Sequence, residues 1–228
     1  MHLFGGDKLW DASLFTASDD RVRGGKSQSY LTVSDAGSQA TFSGTLDIKT
    51  LGGAGFASQR TVDDAPSWDL SDYSSLVLDV AHADRKKYTI TLKDEVLPKR
   101  PDGREQSTIS WEYDFVVEAG ESGADSAKVI IPFKDFEPTY RGKPKPDAAP
   151  LDLRSVKRVS FMMRSFFGTQ EGDFSIVFNS VSVERNDDLS QGSGCASAAV
   201  TSDHQQPEVK ASNTGLTSWI GSIFGWKI

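Results

Sequence analysis

Four acidic pairs are the residues of this chain whose types and spacing come nearest to chemistry: Asp19/Asp20, Asp63/Asp64, Asp94/Glu95 and Glu112/Asp114. Two carboxylates held roughly 5 to 9.5 Å apart can divide acid and base work at a glycosidic bond. Glu112 and Asp114 fit best, because two steps along a strand rise about 7 Å and return to the same face. They lie in STISWEYDFVV, where Ile109, Trp111, Tyr113, Phe115 and Val117 alternate with Ser110, Glu112 and Asp114. Such alternation assigns the acids to an exposed polar face rather than to a catalytic pair.

Other routes to catalysis are poorly supplied. The histidines His2, His82 and His204 have no metal-ligand spacing with one another or with the single cysteine, Cys195, and no GxSxG elbow is present. LGGAGFAS is glycine-rich, but a phosphate-cradling loop needs a helix after it, and FASQR reads as a strand. The sequence therefore predicts no enzyme, no catalytic residue, no metal and no cofactor. One charged stretch stands out, DDRVRGGKSQS from Asp19 to Ser29. Asp19 and Asp20 can accept from backbone N–H groups or pair with Arg21 or Arg23, while Gly24 and Gly25 permit a positive φ or a close approach. Two readings stay open: a structural turn, or a surface where Arg21 and Arg23 contact an acidic partner.

Period-two alternation runs from about residue 27 to 185 in short segments broken by turn residues. Nine strands are expected: QSYLTV, QATFSGTLDI, GFASQR, SLVLDV, KYTITLK, STISWEYDFVV, AKVIIPF, VKRVSFMM and GDFSIVFNSVSVE. In the last, Phe174, Ile176, Phe178, Ser180 and Ser182 share one face and Val177, Val181 and Val183 the other, which suggests a strand covered on both sides. No long amphipathic helix interrupts the series, so the expected fold is all-β, an antiparallel β-sandwich of jelly-roll type. Two long basic connections, Asp94 to Ser107 and Lys134 to Asp152, are candidate binding loops.

With 25 basic and 32 acidic residues the net charge is −7, which lacks the positive field that nucleic-acid backbones require. No run approaches the roughly 20 apolar residues of a membrane-spanning helix. The opening MHLFGGDKLWDASLF carries Asp7, Lys8 and Asp11 and reads neither as a secretory signal nor as a mitochondrial presequence. The sandwich is assigned to residues 1–185, a polar Gly/Ser/Ala/Gln-rich linker to 186–212 and an amphipathic C-terminal helix to 213–228. In that helix Leu216, Trp219, Ile220, Ile223 and Phe224 form one apolar stripe, which must dock on the sandwich itself, on another protein or on a membrane interface. With only Lys227 available for a polar basic face, a protein partner is the stronger functional choice.

The order of motifs carries more than any one of them. SDDRVRGGKSQS, ATFSGTL, GGAGFASQRT, WDLSDYSSLVLDV, KYTITL, VIIPFKDFEPTYRG, VKRVSFMM and GDFSIVFNSVSV follow one another along the chain. Together, over roughly residues 10 to 184, they resemble the complex I intermediate-associated protein family of NADH:ubiquinone oxidoreductase assembly factors. The resemblance implies a galactose-binding-like β-sandwich and a non-enzymatic, chaperone-like role holding subunits or intermediates of mitochondrial complex I. The signature positions it marks are Asp19, Asp20, Gly24, Gly25, Gly55, Phe56, Pro132, Phe133 and Phe136, and Arg23 stands where the family commonly has Met. It implies a mitochondrial location, although no presequence is recognisable, with the cytoplasm as the alternative. A carbohydrate-binding module on the same fold, or a carboxylate-dependent glycoside hydrolase, are the competing functions.

Overall fold

The structure, a computed structural model, describes residues 1–117 and 127–185. The chain divides into two units, Met1–Ala198 and Ala199–Ile228, and the described residues all fall in the first. The linker over 186–212 and the helix over 213–228 lie outside the described residues.

All nine expected strands form. They are β3 (Gln28–Val33), β4 (Ala40–Leu46), β5 (Phe56–Thr61), β6 (Ser75–Ala83), β7 (Lys87–Lys93), β8 (Ser110–Val116), β9 (Ala127–Pro132), β12 (Arg158–Arg164) and β13 (Gly172–Glu184). Four short strands join them: β1 (His2–Gly5), β2 (Phe15–Ala17), β10 (Glu137–Tyr140) and β11 (Lys143–Pro144). At two to four residues these show too little alternation to register in a sequence, and Pro144 suits β11 to the sheet edge, where it pairs with β10 alone.

The strands make two antiparallel sheets. One runs β3-β4-β13-β6-β9 with β1 also on β13, and the other runs β11-β10-β8-β7-β12-β5-β2. Their inner faces bury Phe42, Leu78, Tyr88, Ile90, Phe161, Met163, Ile176 and Phe178 to 2% exposure or less. Each such large side chain contributes roughly 1.5–3 kcal/mol relative to leaving it in water. The rings of Phe161 and Phe178 stack across the sheets with centroids 4.7 Å apart.

Strand β13 departs from the expected two-sided cover. Its register against β6 shifts between Val177 and Phe178 and again between Phe178 and Ser180. Before the shift Phe174, Ile176 and Phe178 face the core; after it Val181 and Val183 do. A bulge swaps the inward face, so both apolar sets serve the same core. Asn179, at the crossover, has its carbonyl bonded by the Trp10 indole N–H at 3.0 Å, and its side-chain amide donates to Asp79 at 2.9 Å.

The N-terminal residues belong to the sandwich. Leu3 and Phe4 are buried, and the Met1 amino group donates to the Val183 carbonyl at 2.9 Å. Among the described residues no helix is long and apolar enough to cross a membrane.

Candidate functional site

The stretch from Asp19 to Ser29 folds into a short 3-10 turn, Asp20–Arg23, leading toward β3. Both aspartates point inward. The Asp19 carboxylate accepts from the Ser29 N–H at 3.1 Å, the Ser29 hydroxyl at 2.6 Å and the Ser58 N–H at 2.9 Å. Asp20, fully buried, accepts from the Ser27 N–H at 3.0 Å, the Ser27 hydroxyl at 2.7 Å and the Phe56 N–H at 3.1 Å. Charge-assisted bonds of this kind tie the starts of β3 and β5 together. Gly24 takes φ +84°, and a Cβ on Gly25 would lie 2.2 Å from the Asp20 carboxylate, so a side chain at either position is resisted. Arg21 and Arg23 take no part in this cage. They are exposed, and the Arg23 guanidinium lies 5.6 Å from the centroid of the Phe56 ring.

A second concentration of charge covers the outward face of the seven-stranded sheet. Register places Arg60, Ser160, Thr91 and Glu112 side by side across β5, β12, β7 and β8. At one end, Arg164 donates to Glu112 at 2.7 Å and to Asp114 at 2.6 Å. Glu112 also accepts from the Thr139 hydroxyl at 2.9 Å, and Asp114 from the Thr89 hydroxyl at 2.6 Å. Glu112 is therefore buried, not exposed as its alternation with apolar neighbours suggested, because Arg164 and β10 close over it.

At the other end, Arg158 meets Asp63 at 2.5 Å and Glu105 at 3.0 Å, and Arg60 pairs with the same two acids. Burial pushes the Asp63 carboxyl up, but the guanidinium groups of Arg60 and Arg158, with Lys99, outweigh it and hold the group below the usual carboxylate range. Lys93, whose ammonium donates to the Thr108 hydroxyl at 2.9 Å, is pushed down by burial and by the nearby Arg158. The Asp94–Ser107 connection thus packs on the sheet through Glu105. Beneath it Val96, Leu97, Pro98, Gln106 and Arg158 help line a pocket of about 220 Å³. Among the described residues three buried side-chain polar atoms have no hydrogen-bond partner: Arg60 Nε and Arg164 Nε, one in each cluster, and Thr91 Oγ1 between them. Among the described residues no group of three or more metal-binding side chains occurs.

The family profile described as Complex I intermediate-associated protein 30 matches residues 3–178, which takes in strands of both sheets. The chain belongs to the complex I intermediate-associated protein 30 family. It is 44% identical over 182 residues to an uncharacterized protein of Schizosaccharomyces pombe, covering 78% of this chain and 81% of that protein. Among solved structures it is similar to a family 11 carbohydrate-binding module from Clostridium thermocellum in complex with a β-1,3-1,4-mixed-linked tetrasaccharide. There the identity is 15%, 78% of this chain and 94% of the module are covered, and the TM-score is 0.51. The same module from a cellulosomal cellulase gives 16% identity, 80% and 96% coverage and a TM-score of 0.49. At such identities the likeness is one of fold.

The remaining positions that the resemblance marks fall into two places. Gly55 sits beside the aspartate cage, where a Cβ would lie 2.3 Å from the Asp47 carbonyl oxygen, and Phe56 follows as the Asp20 donor. Pro132 ends β9, after which Phe133 and Phe136 turn into the core with ring centroids 6.2 Å apart; Phe136 also meets Tyr113. Leu216, Trp219, Ile220, Ile223 and Phe224 lie outside the described residues. The paired charges of the polar face, Arg60, Asp63, Glu105, Arg158 and Arg164, were not singled out as a cluster from sequence. The available signal was the recurrence of Arg158 and Arg164 at outward positions of one strand whose inward residues are apolar.

Proposed function

We propose that the chain is a non-enzymatic assembly factor: a β-sandwich scaffold that holds protein subunits or intermediates of respiratory complex I while they are joined, in the mitochondrion. The observation that carries this reading is membership of the complex I intermediate-associated protein 30 family over residues 3–178, a match that extends through most of the sandwich. The bonds from Arg164 to Glu112 and Asp114 support the non-enzymatic half, since they engage the acidic pair best spaced for hydrolysis. Beyond the sandwich, the apolar stripe of Leu216, Trp219, Ile220, Ile223 and Phe224 is a second attachment point for a partner protein. Native-gel separation of membrane complexes from cells lacking the gene tests the proposal. Depleted complex I with an accumulated subcomplex is expected, and an unchanged pattern counts against it.

A second reading, a carbohydrate-binding module, rests on the likeness of fold to the family 11 module in complex with a mixed-linked tetrasaccharide. Calorimetric titration with a mixed-linked β-1,3-1,4 tetrasaccharide separates the two. Saturable heat supports the module, and absence of heat leaves the scaffold.

A further inference from the structure

The end of the sandwich that carries the aspartate cage also carries two apolar side chains directed into solvent. Val22, on the 3-10 turn, is 81% exposed, and Phe167, on the β12–β13 connection, is 102% exposed. The two connections are neighbours. The Ser165 N–H donates to the Gly55 carbonyl at 3.0 Å, the Phe56 N–H to Asp20 at 3.1 Å, and a Cβ on Gly168 would come within 3.7 Å of the Gly53 carbonyl oxygen.

Phe167 is held out by an unusual backbone. Phe166 and Phe167 take φ values of +44° and +60°, a conformation that bulky side chains rarely adopt and that persists only where its surroundings enforce it. The enforcing contacts fall on Phe166, whose ring has Arg164 at 4.7 Å on one hand and Lys87 at 4.9 Å on the other. Gln170 adds bonds to the Lys87 and Arg164 carbonyls at 2.8 and 2.7 Å. One phenylalanine is anchored so that the next projects.

Cations lie near both tips in a chain of net charge −7, alongside exposed Glu171 on the connection of Phe167 and Asp47 next to Lys49. Arg21 and Arg23 flank Val22 in sequence, and both are exposed. Exposed Lys49 lies on the neighbouring connection, and exposed Lys87 lies under Phe166. Apolar tips on separate connections, with Arg21 and Arg23 beside one and Lys87 beside the other, suit a compliant acidic plane. A protein partner would need a preformed pocket for each tip, whereas a bilayer interface accepts both at once. The connections also stand clear of the sandwich: a Cβ on Gly24, Gly52 or Gly53 would meet nothing within 4 Å.

We propose that this end of the sandwich docks on an anionic lipid surface, with Phe167 and Val22 entering the interface and Arg21, Arg23, Lys49 and Lys87 facing lipid phosphates. The acidic partner expected for Arg21 and Arg23 is then a membrane. The proposal is independent of the assembly role, and either can fail without the other.

The test is flotation of the full chain with phosphatidylcholine vesicles, with and without phosphatidylserine, at low and high salt. Binding confined to vesicles containing phosphatidylserine is expected, weakened by salt as surface charges are screened. Phe167→Asp and Val22→Asp should each lower the bound fraction about tenfold, with the thermal midpoint unchanged because both side chains are in solvent. Trp219→Asp, in the C-terminal stripe, should leave binding intact. The proposal is overturned if the chain does not float, if it binds neutral vesicles equally, if Phe167→Asp binds as well as the unaltered chain, or if Trp219→Asp alone abolishes binding. Soluble polyglutamate serves as the competing probe. If it binds in a Phe167-dependent way while vesicles do not, the surface belongs to an acidic protein and the lipid assignment fails.

Discussion

Asp20 illustrates how a charged residue can be wholly structural. Its carboxylate is fully buried and accepts three hydrogen bonds from Ser27 and Phe56, residues on opposite sides of the sandwich entrance. Asp20→Ala strands buried donors at roughly 1–3 kcal/mol each, so a loss of about 3 kcal/mol is expected. For a domain of this size that lowers the thermal midpoint by roughly 6–12 °C. Arg23→Ala, at an exposed position, should move it little; equal midpoints for the two variants in scanning calorimetry contradict the cage. Asp63 gives the pH counterpart. Its folded-state pKa lies below the unfolded value, so its ion pairs add stability above the unfolded carboxylate range, and that stability is lost as pH falls through the folded value. The difference in midpoint between the unaltered chain and Asp63→Asn should hold from neutral pH to about pH 5 and shrink below about pH 4. A difference that grows on acidification reverses the assigned sign.

At the level of elements, period-two alternation was sufficient for the nine longer strands, because each places one face against a core of large apolar residues. It was insufficient for β13, where the alternation is interrupted within an unbroken strand and only the pairing with β6 reveals the bulge. Asn179→Ala should keep the fold at a cost of about 1–2 kcal/mol for its lost side-chain bonds to Gln39 and Asp79. An unchanged thermal midpoint in that variant contradicts the part assigned to Asn179 at the bulge. The polar face of the seven-stranded sheet was less legible for a different reason. Arg158 and Asp63 are 95 residues apart and Arg164 and Glu112 are 52 apart, so no local spacing announces their pairing. The aspartate cage was half legible: acids followed by two glycines indicated a turn, but the serine donors, and the exclusion of Arg21 and Arg23 from it, emerge only from the folded contacts.

Across the described residues, the two sheets form a well-packed sandwich whose best-spaced acidic pair is tied up by Arg164, while its aspartate-cage end presents solvent-facing apolar and cationic groups. That distribution suits a molecule that holds other components together better than one that transforms a bound substrate. The most direct measurement is a native gel of membrane complexes from cells with and without the gene, probed for this chain and for complex I. The scaffold account predicts that the chain migrates with a complex I subcomplex and is absent from the finished enzyme, and that its loss depletes complex I while a subcomplex accumulates. A chain that migrates only at its own mass, with complex I unchanged by its loss, contradicts the account.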